Sequence, residues 1–200
     1  VLADVNGYFT IPYLAMTGGT IVTAYIDGSL SDKAVTVALS SGSVMTGFHL
    51  YKNNLIVRSD SGSVAITNAI LNIANNSGDS DITAIYNVDT SSVLQVAKDK
   101  QLYVWAGDTF TPGAAIKTHD LKVRGTLTLA ANTATITGSL LANSGTLTTA
   151  GTILLNSTGS EILNVGANSV QHLTLGASAS NGVTSGLLGY WKFDEGAGTT

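Results

Sequence analysis

Glu161 and Glu195 are the only glutamates in the chain. That scarcity bears directly on whether a β-rich sequence of this kind cuts polysaccharide. Glycoside hydrolysis usually takes two carboxyl groups facing each other across a cleft. Across residues 125–183 Glu161 is the only carboxylate, and Asp120 lies just before that stretch. Lyase chemistry wants acidic metal ligands and an Arg or Lys base, but the arginines are Arg58 and Arg124 and no acidic cluster accompanies them. The histidines are His49, His119 and His172. His119 and Asp120 are adjacent, so on a strand their side chains leave opposite faces and cannot form the oriented pair of a hydrolase triad. All three histidines read as structural or surface residues. The expectation is a chain that is not an enzyme and has no catalytic residues.

Two constellations remain for binding. Asn75-Asn76-Ser77-Gly78-Asp79-Ser80-Asp81 puts oxygen donors at alternate positions around a glycine. Asn76, Asp79 and Asp81 are thus calcium candidates, although calcium wants six to eight oxygens and no bidentate Glu follows. An ordinary polar turn explains the segment better, so the expected cofactor is none, with calcium the one metal left room. The second constellation is aromatic: Tyr103 and Trp105 share a strand face, and Trp105 and Phe110 flank Gly107-Asp108. Such a row can be a sugar-stacking platform, but the better reading is that it fills a sandwich core or a solenoid cap. Asn75-Asn76-Ser77 and Asn156-Ser157-Thr158 match the glycosylation sequon by pattern alone.

Composition narrows the class. Hydrophobic residues make up 44% of 200 residues and charged residues 11%, well below the roughly 25% of an average domain. Ser, Thr, Asn and 22 Gly supply the remaining polarity. Abundant Thr and Val suit a pleated, half-buried surface. The net charge of −4 and the lack of any Lys/Arg cluster argue against nucleic acid. No apolar run approaches the roughly 20 residues of a membrane span. With no Cys there are no disulfides or thiolate metal sites.

The elements that must position these residues fall into four stretches. Residues 1–47 alternate in short bursts such as Tyr8-Phe9-Thr10-Ile11, Thr20–Ile26 and Ala34–Leu39, with Asp4-Val5-Asn6-Gly7 as a hairpin turn. Residues 48–120 hold longer strands, and Thr67–Ile73 predicts one helical turn or two, stopped at Asn75–Asp79. Residues 121–185 become repetitive. Gly-Thr/Ser-Leu/Ile recurs at Gly125, Gly138, Gly145 and Gly151, and 125, 138 and 151 are thirteen residues apart. A strand rises about 3.3 Å per residue, so thirteen residues make a strand, a corner and a second short strand, most of a solenoid coil. Short fixed periods mark units that bury their apolar face by stacking on neighbours. A plain antiparallel meander is the alternative. Residues 186–200 open an apolar strand, Leu187, Leu188, Tyr190, Trp191 and Phe193, and break off at a Gly-rich turn. Both ends therefore read as interrupted domains of a longer protein. The fold class expected is all-β, a partial β-sandwich followed by β-rich, solenoid-like stacked strand repeats.

Three segments carry resemblances. Leu2-Ala3-Asp4-Val5-Asn6-Gly7-Tyr8-Phe9-Thr10-Ile11 resembles the central hairpin of carboxypeptidase-regulatory-like and collagen-adhesin B-type modules, which are transthyretin-like sandwiches. That resemblance implies such a module, in part, over 1–47, and such modules sometimes carry Lys–Asn isopeptide cross-links, for which Lys33 is the one lysine in the region. Leu55–Arg58, Leu102–Trp105 and Asn143–Leu147 resemble strand-repeat segments of giant bacterial extracellular proteins. Gly186–Thr199 is similar to the first strand of laminin-G-like, concanavalin-A-like lectin domains. Together they imply a structural segment of a bacterial extracellular fibre, stalk or surface layer, at the cell surface or outside it. Bare edge strands seek partners, so other copies of the chain are the expected partner. Tyr8, Phe9, Leu188, Tyr190, Trp191 and Phe193 are the candidates for end-to-end strand addition. The alternatives are a carbohydrate-binding adhesin module, with glycan or a host surface as partner, and an accessory region of a polysaccharide-degrading enzyme.

Overall fold

In the repeat, Thr or Ser alternates with Leu, Ile or Val, so each short strand sends one aliphatic row to a single face. The computed structural model describes residues 1–12, 15–62, 64–75, 77–157 and 161–176. The chain begins with strands β1 (Gly18–Tyr25), β2 (Val35–Ser41) and β3 (Asn54–Ser59). Helices α1 (Asn68–Ala74) and α2 (Ser80–Thr83) follow, then β4 (Tyr86–Val88) and β5 (Leu94–Val96). From there the chain winds through β6 (Gln101–Val104), β7 (Thr109–Phe110), β8 (Ile116–Thr118), β9 (Asp120–Val123), β10 (Thr126–Ala130) and β11 (Thr133–Ile136). It continues through β12 (Leu140–Leu141), β13 (Thr146–Thr149), β14 (Thr152–Leu155), β15 (Leu163–Asn164) and β16 (His172–Leu175).

These strands form three sheets: β1-β2-β3-β6-β9-β12-β15, β7-β10-β13 and β4-β5-β8-β11-β14-β16. From β5 to β15 every third strand returns to the same sheet, and all pairings are parallel except β1 with β2 and β4 with β5. The result is a three-sided β-solenoid. Leu102, Leu121 and Leu140 pair in register, nineteen residues apart. The thirteen-residue spacing is therefore two sides of a three-sided coil. Gly125 sits where the chain leaves the first sheet, Gly138 where it leaves the third, and Gly151 where it leaves the second.

Like residues stack inside. Leu102–Leu121–Leu140, Val57–Val104–Val123, Phe110–Leu127–Leu147 and Ile116–Ala134–Ile153 run down the axis, nearly all of them inaccessible to solvent. Corners bring backbone onto backbone. A Cβ added at Gly151 would collide with the carbonyl of Asn132, and one at Gly125 with the carbonyls of Trp105 and Asp108.

One end is closed. The antiparallel strands β1 and β4 finish two sheets, and α1 and α2 carry Leu71 and Ile82 into the core beside Ile66, Ile85 and Tyr86. The expected helix is present as α1, with the Thr67 side chain accepting from the Ile70 amide at 3.2 Å. Buried Asn68 ties α1 to the coils by donating to the carbonyls of Ser92 and Ala115.

The expected separate sandwich over 1–47 meets a different arrangement. β1 and β2 belong to the same sheet as β3, and Val35, Val37 and Leu39 share one core with Leu55 and Val57. A boundary at residue 47 thus falls inside continuous structure. Instead of starting a new unit, residues 42–53 fold back over the outer face of the first sheet. There the Thr36 hydroxyl donates to the His49 carbonyl, and Tyr51 stacks on Tyr103 at 6.3 Å. Sheet positions facing outward, Ala38, Ile56 and Tyr103 among them, are buried beneath this flap.

Candidate functional site

The flap builds the most developed surface feature of the described residues. Its His49 ring lies 4.8 Å from Trp105, stacked at 26°, and Tyr51, Tyr103 and Trp105 extend the aromatic row. Tyr103 and Trp105 leave β6 on its outer side, away from core-facing Leu102 and Val104. The aromatic row is therefore neither sandwich core nor solenoid cap. Phe110, by contrast, enters the core completely. Lys122 reaches the Tyr103 ring from the next coil, at 4.8 Å.

Beside this row lies a cleft of about 300 Å³, walled by His49, Trp105, Arg58, Asp60, Gly107 and Asp108. Arg58 and Asp60 leave the same side of β3 and its extension. The Arg58 guanidinium donates through Nε and Nη2 to Asp60 at 2.7–2.9 Å, and through Nη1 and Nη2 to the carbonyls of Gly47 and Thr46. It also lies 5.7 Å from the centre of the Phe48 ring. All three Arg58 nitrogens are committed within the protein, so the side chain serves as a rigid wall. Asp108 stands differently. Burial pushes its carboxyl up to about 6, the Ser59 amide and the Arg58 charge pull the other way, and Asp60 adds repulsion.

The calcium candidates are spent elsewhere. The Asp79 carboxylate caps α2 by accepting from the Asp81 amide at 2.8 Å and takes the Tyr25 hydroxyl at 3.0 Å. The Asp81 carboxylate accepts from the Gly28 amide at 2.7 Å and pairs with Lys33, whose side chain is largely buried. The Lys33 bond and the Gly28 amide hold the Asp81 carboxyl below the usual carboxylate range. All four carboxylate oxygens already accept from protein donors, with which a cation here would compete. Asn76 lies outside the described residues, and among the described residues no three His, Asp or Glu converge as a metal site. Lys33, the cross-link candidate, faces a carboxylate and not an asparagine amide. The Asn75 side chain donates to the Tyr86 carbonyl at 3.2 Å, an inward use of that sequon position.

The structure does bring Asp120 and Glu161 to one corner. Asp120 accepts from the Ser139 amide at 2.7 Å, and Glu161 accepts from the Ser139 hydroxyl at 3.1 Å. The same hydroxyl accepts from the Ile162 amide. These bonds tie three successive coils together. His119 lies at the bend between β8 and β9 and not within a strand, so the expected opposite-face placement does not hold. Its ring and the Asp120 carboxylate both lie against Gly138, and the ring hydrogen-bonds the Thr137 hydroxyl at 3.2 Å. His172 is exposed on β16.

Tyr8 is 75% exposed and Phe9 half-buried, after the turn in which Asp4 accepts from the amides of Asn6 and Tyr8. That turn, with Gly7 at φ +82°, is the one expected. Leu188, Tyr190, Trp191 and Phe193 lie outside the described residues. Sequence reasoning missed Asn168. Its amide donates to the carbonyls of Ala142, Gly145 and Val165 and accepts from the Leu147 amide. Nothing in Gly-Ala-Asn-Ser distinguishes that residue from the chain's many surface asparagines. No protein-family model, curated protein or solved structure matches this chain.

Proposed function

We propose that the chain is a structural segment of an extracellular bacterial fibre, stalk or surface layer, joined end to end with other copies by strand addition. The observation that carries this reading is the difference between the two ends of the solenoid. Strands β1 and β4 and the two helices cover the core at the first end. At the other, Leu163 and Leu173 stand in register with fully buried Leu140 and Ile153 yet are 41% exposed, and Leu175 is 64% exposed. Strands β13, β15 and β16 each have a free edge there among the described strands.

Residues 1–12 contain no strand and expose Val1, Leu2, Val5, Tyr8 and Ile11. An apolar N-terminal segment on either side of the Asp4–Tyr8 turn and an apolar end uncovered among the described residues are complementary, and backbone pairing along a free edge supplies affinity without a dedicated pocket. Electron microscopy and sedimentation of residues 1–200 test this directly. Concentration-dependent filaments or oligomers are expected, abolished by deleting residues 1–12 or by Leu173→Asp. A chain that stays monomeric at all concentrations, or that assembles equally well without that segment, refutes end-to-end strand addition.

A further inference from the structure

We propose that the cleft between the 42–53 flap and the Trp105–Asp108 corner is a binding site for one ring of a neutral saccharide. This stands apart from the stalk reading, since either can fail without the other. The first argument is size. At about 300 Å³ the cleft is at the small end of ligand pockets, room for a single pyranose ring with its flanks in solvent. The second is the pairing of surfaces. A pyranose has an apolar face of C–H groups and a rim of hydroxyls. The cleft offers the His49–Trp105 aromatic wall on one side and carboxyl and guanidinium groups on the other.

The third argument is which polar groups are free. Arg58 has its nitrogens committed to Asp60, Thr46 and Gly47, so no spare cation awaits a phosphate, sulfate or carboxylate. Asp108 keeps acceptor capacity toward the cleft, and an ionised carboxylate makes strong, short bonds to hydroxyl donors. Arg58 is balanced by Asp60, so an ammonium ligand, which the aromatic wall would also welcome, is the competitor that the test must exclude. The walls are also fixed before any ligand arrives. The Arg58 bonds pin the flap to β3, and Trp105 and Asp108 share a corner closed by the Asp108 amide on the Trp105 carbonyl at 3.2 Å.

The test uses methyl glycosides of glucose, galactose, mannose and N-acetylglucosamine, with tetramethylammonium and inorganic sulfate as charged probes. Binding is read by saturation-transfer NMR and by the Trp105 indole N–H shift. At least one glycoside should bind in the millimolar range or tighter and move that indole signal. Asp108→Asn should weaken it by about tenfold, the loss of a charge-assisted acceptor, and Trp105→Ala should abolish it. Should Trp105→Ala fail to fold, Trp105→Phe and Asp108→Asn decide together. The proposal is overturned if no glycoside binds, if binding survives these variants, or if tetramethylammonium or sulfate binds more tightly than every glycoside.

Discussion

Asp108→Asn should stabilise the protein at neutral pH, and by an amount that disappears in acid. The Asp108 carboxyl is pushed up to about 6 chiefly by burial, against about 3.9 in an unfolded chain. Between those two values the folded state holds a proton that the unfolded state has released, so stability falls as pH rises through the window. A window roughly two pH units wide corresponds to at most about 3 kcal/mol. The carboxyl is only partly buried, and solvent screening discounts this to about 1–2 kcal/mol. Asparagine keeps the shape and removes the charge. Urea unfolding followed by circular dichroism at pH 4, 5, 6 and 7 should therefore show the variant ahead by about 1–2 kcal/mol at pH 7, with the gap closing toward pH 4. Comparing the two proteins at each pH cancels the opposite contributions of Asp32, Asp81 and Asp89, whose carboxyls are held low. A gap independent of pH would mean that burial does not govern Asp108. A variant less stable at pH 7 would mean that the carboxylate makes a net favourable bond, and the reasoning would fail.

Three further outcomes are expected. Gly151→Ala places a Cβ against the Asn132 carbonyl at a corner where only backbone fits, so thermal unfolding should come several degrees lower, whereas the same change at open Gly113 costs only its positive-φ strain. Asn168→Ala removes one amide that serves three carbonyls and one amide N–H across a coil boundary. Leaving several of these groups unpaired should cost about 2–4 kcal/mol, with hydrogen exchange accelerating first at Leu147. Asp81→Asn weakens the tie between the β1–β2 turn and α2. Because the Asp81 carboxyl is held low, its contribution is complete above the unfolded carboxylate range and fades as pH falls through its folded value. The variant should thus lose stability near neutrality and converge on the parent in strong acid, as read by denaturation at both pH values.

Much of the architecture was legible because alternation and corner glycines are local signals. Ala134-Thr135-Ile136-Thr137 announces a strand with one apolar face, and Asn75–Asp79 announces the end of a helix. What alternation does not encode is the partner. Val35, Val37 and Leu39 would look the same in an antiparallel sandwich or in a parallel sheet, and only the pairing of β2 with β3 decides for the latter. The flap is the same kind of problem. His49 and Trp105 come from different coils, and their stacking follows from how residues 42–53 cross the sheet, which no short-range pattern records. The calcium candidates were ambiguous for a related reason, since Asp79 and Asp81 find their partners in Tyr25, Gly28 and Lys33, about fifty positions earlier.

The glycine spacing carries more information than its period. In a coil of about nineteen residues with three corners, a thirteen-residue step advances two corners, so Gly125, Gly138 and Gly151 sample each corner once. A two-sided hairpin stack would revisit one corner or alternate between two. The step from Gly151 to the next corner of the Gly125 type falls at Gly166 instead of position 164, where an added Cβ would press on the Asn143 backbone. The displacement goes with a longer coil there, Leu140 pairing with Leu163 after twenty-three residues. Extra residues are thus accommodated between β14 and β15 while the stacking contact itself is kept. That preference fixes what the repeat conserves physically: the close approach of successive corners and the aliphatic ladder inside them, with outward positions free to differ. A site such as the Trp105–Asp108 cleft can then arise on the outer face at no cost to the core. Moving Trp105 and Asp108 onto a later coil at the matching corner, without the 42–53 flap, should give a folded solenoid whose Asp108 equivalent titrates near the ordinary carboxylate range, because Thr46, Gly47 and His49 of the flap share the cleft with Asp108 and would no longer shield it. An NMR titration finding that carboxyl still near 6 would show that the corner alone creates the environment.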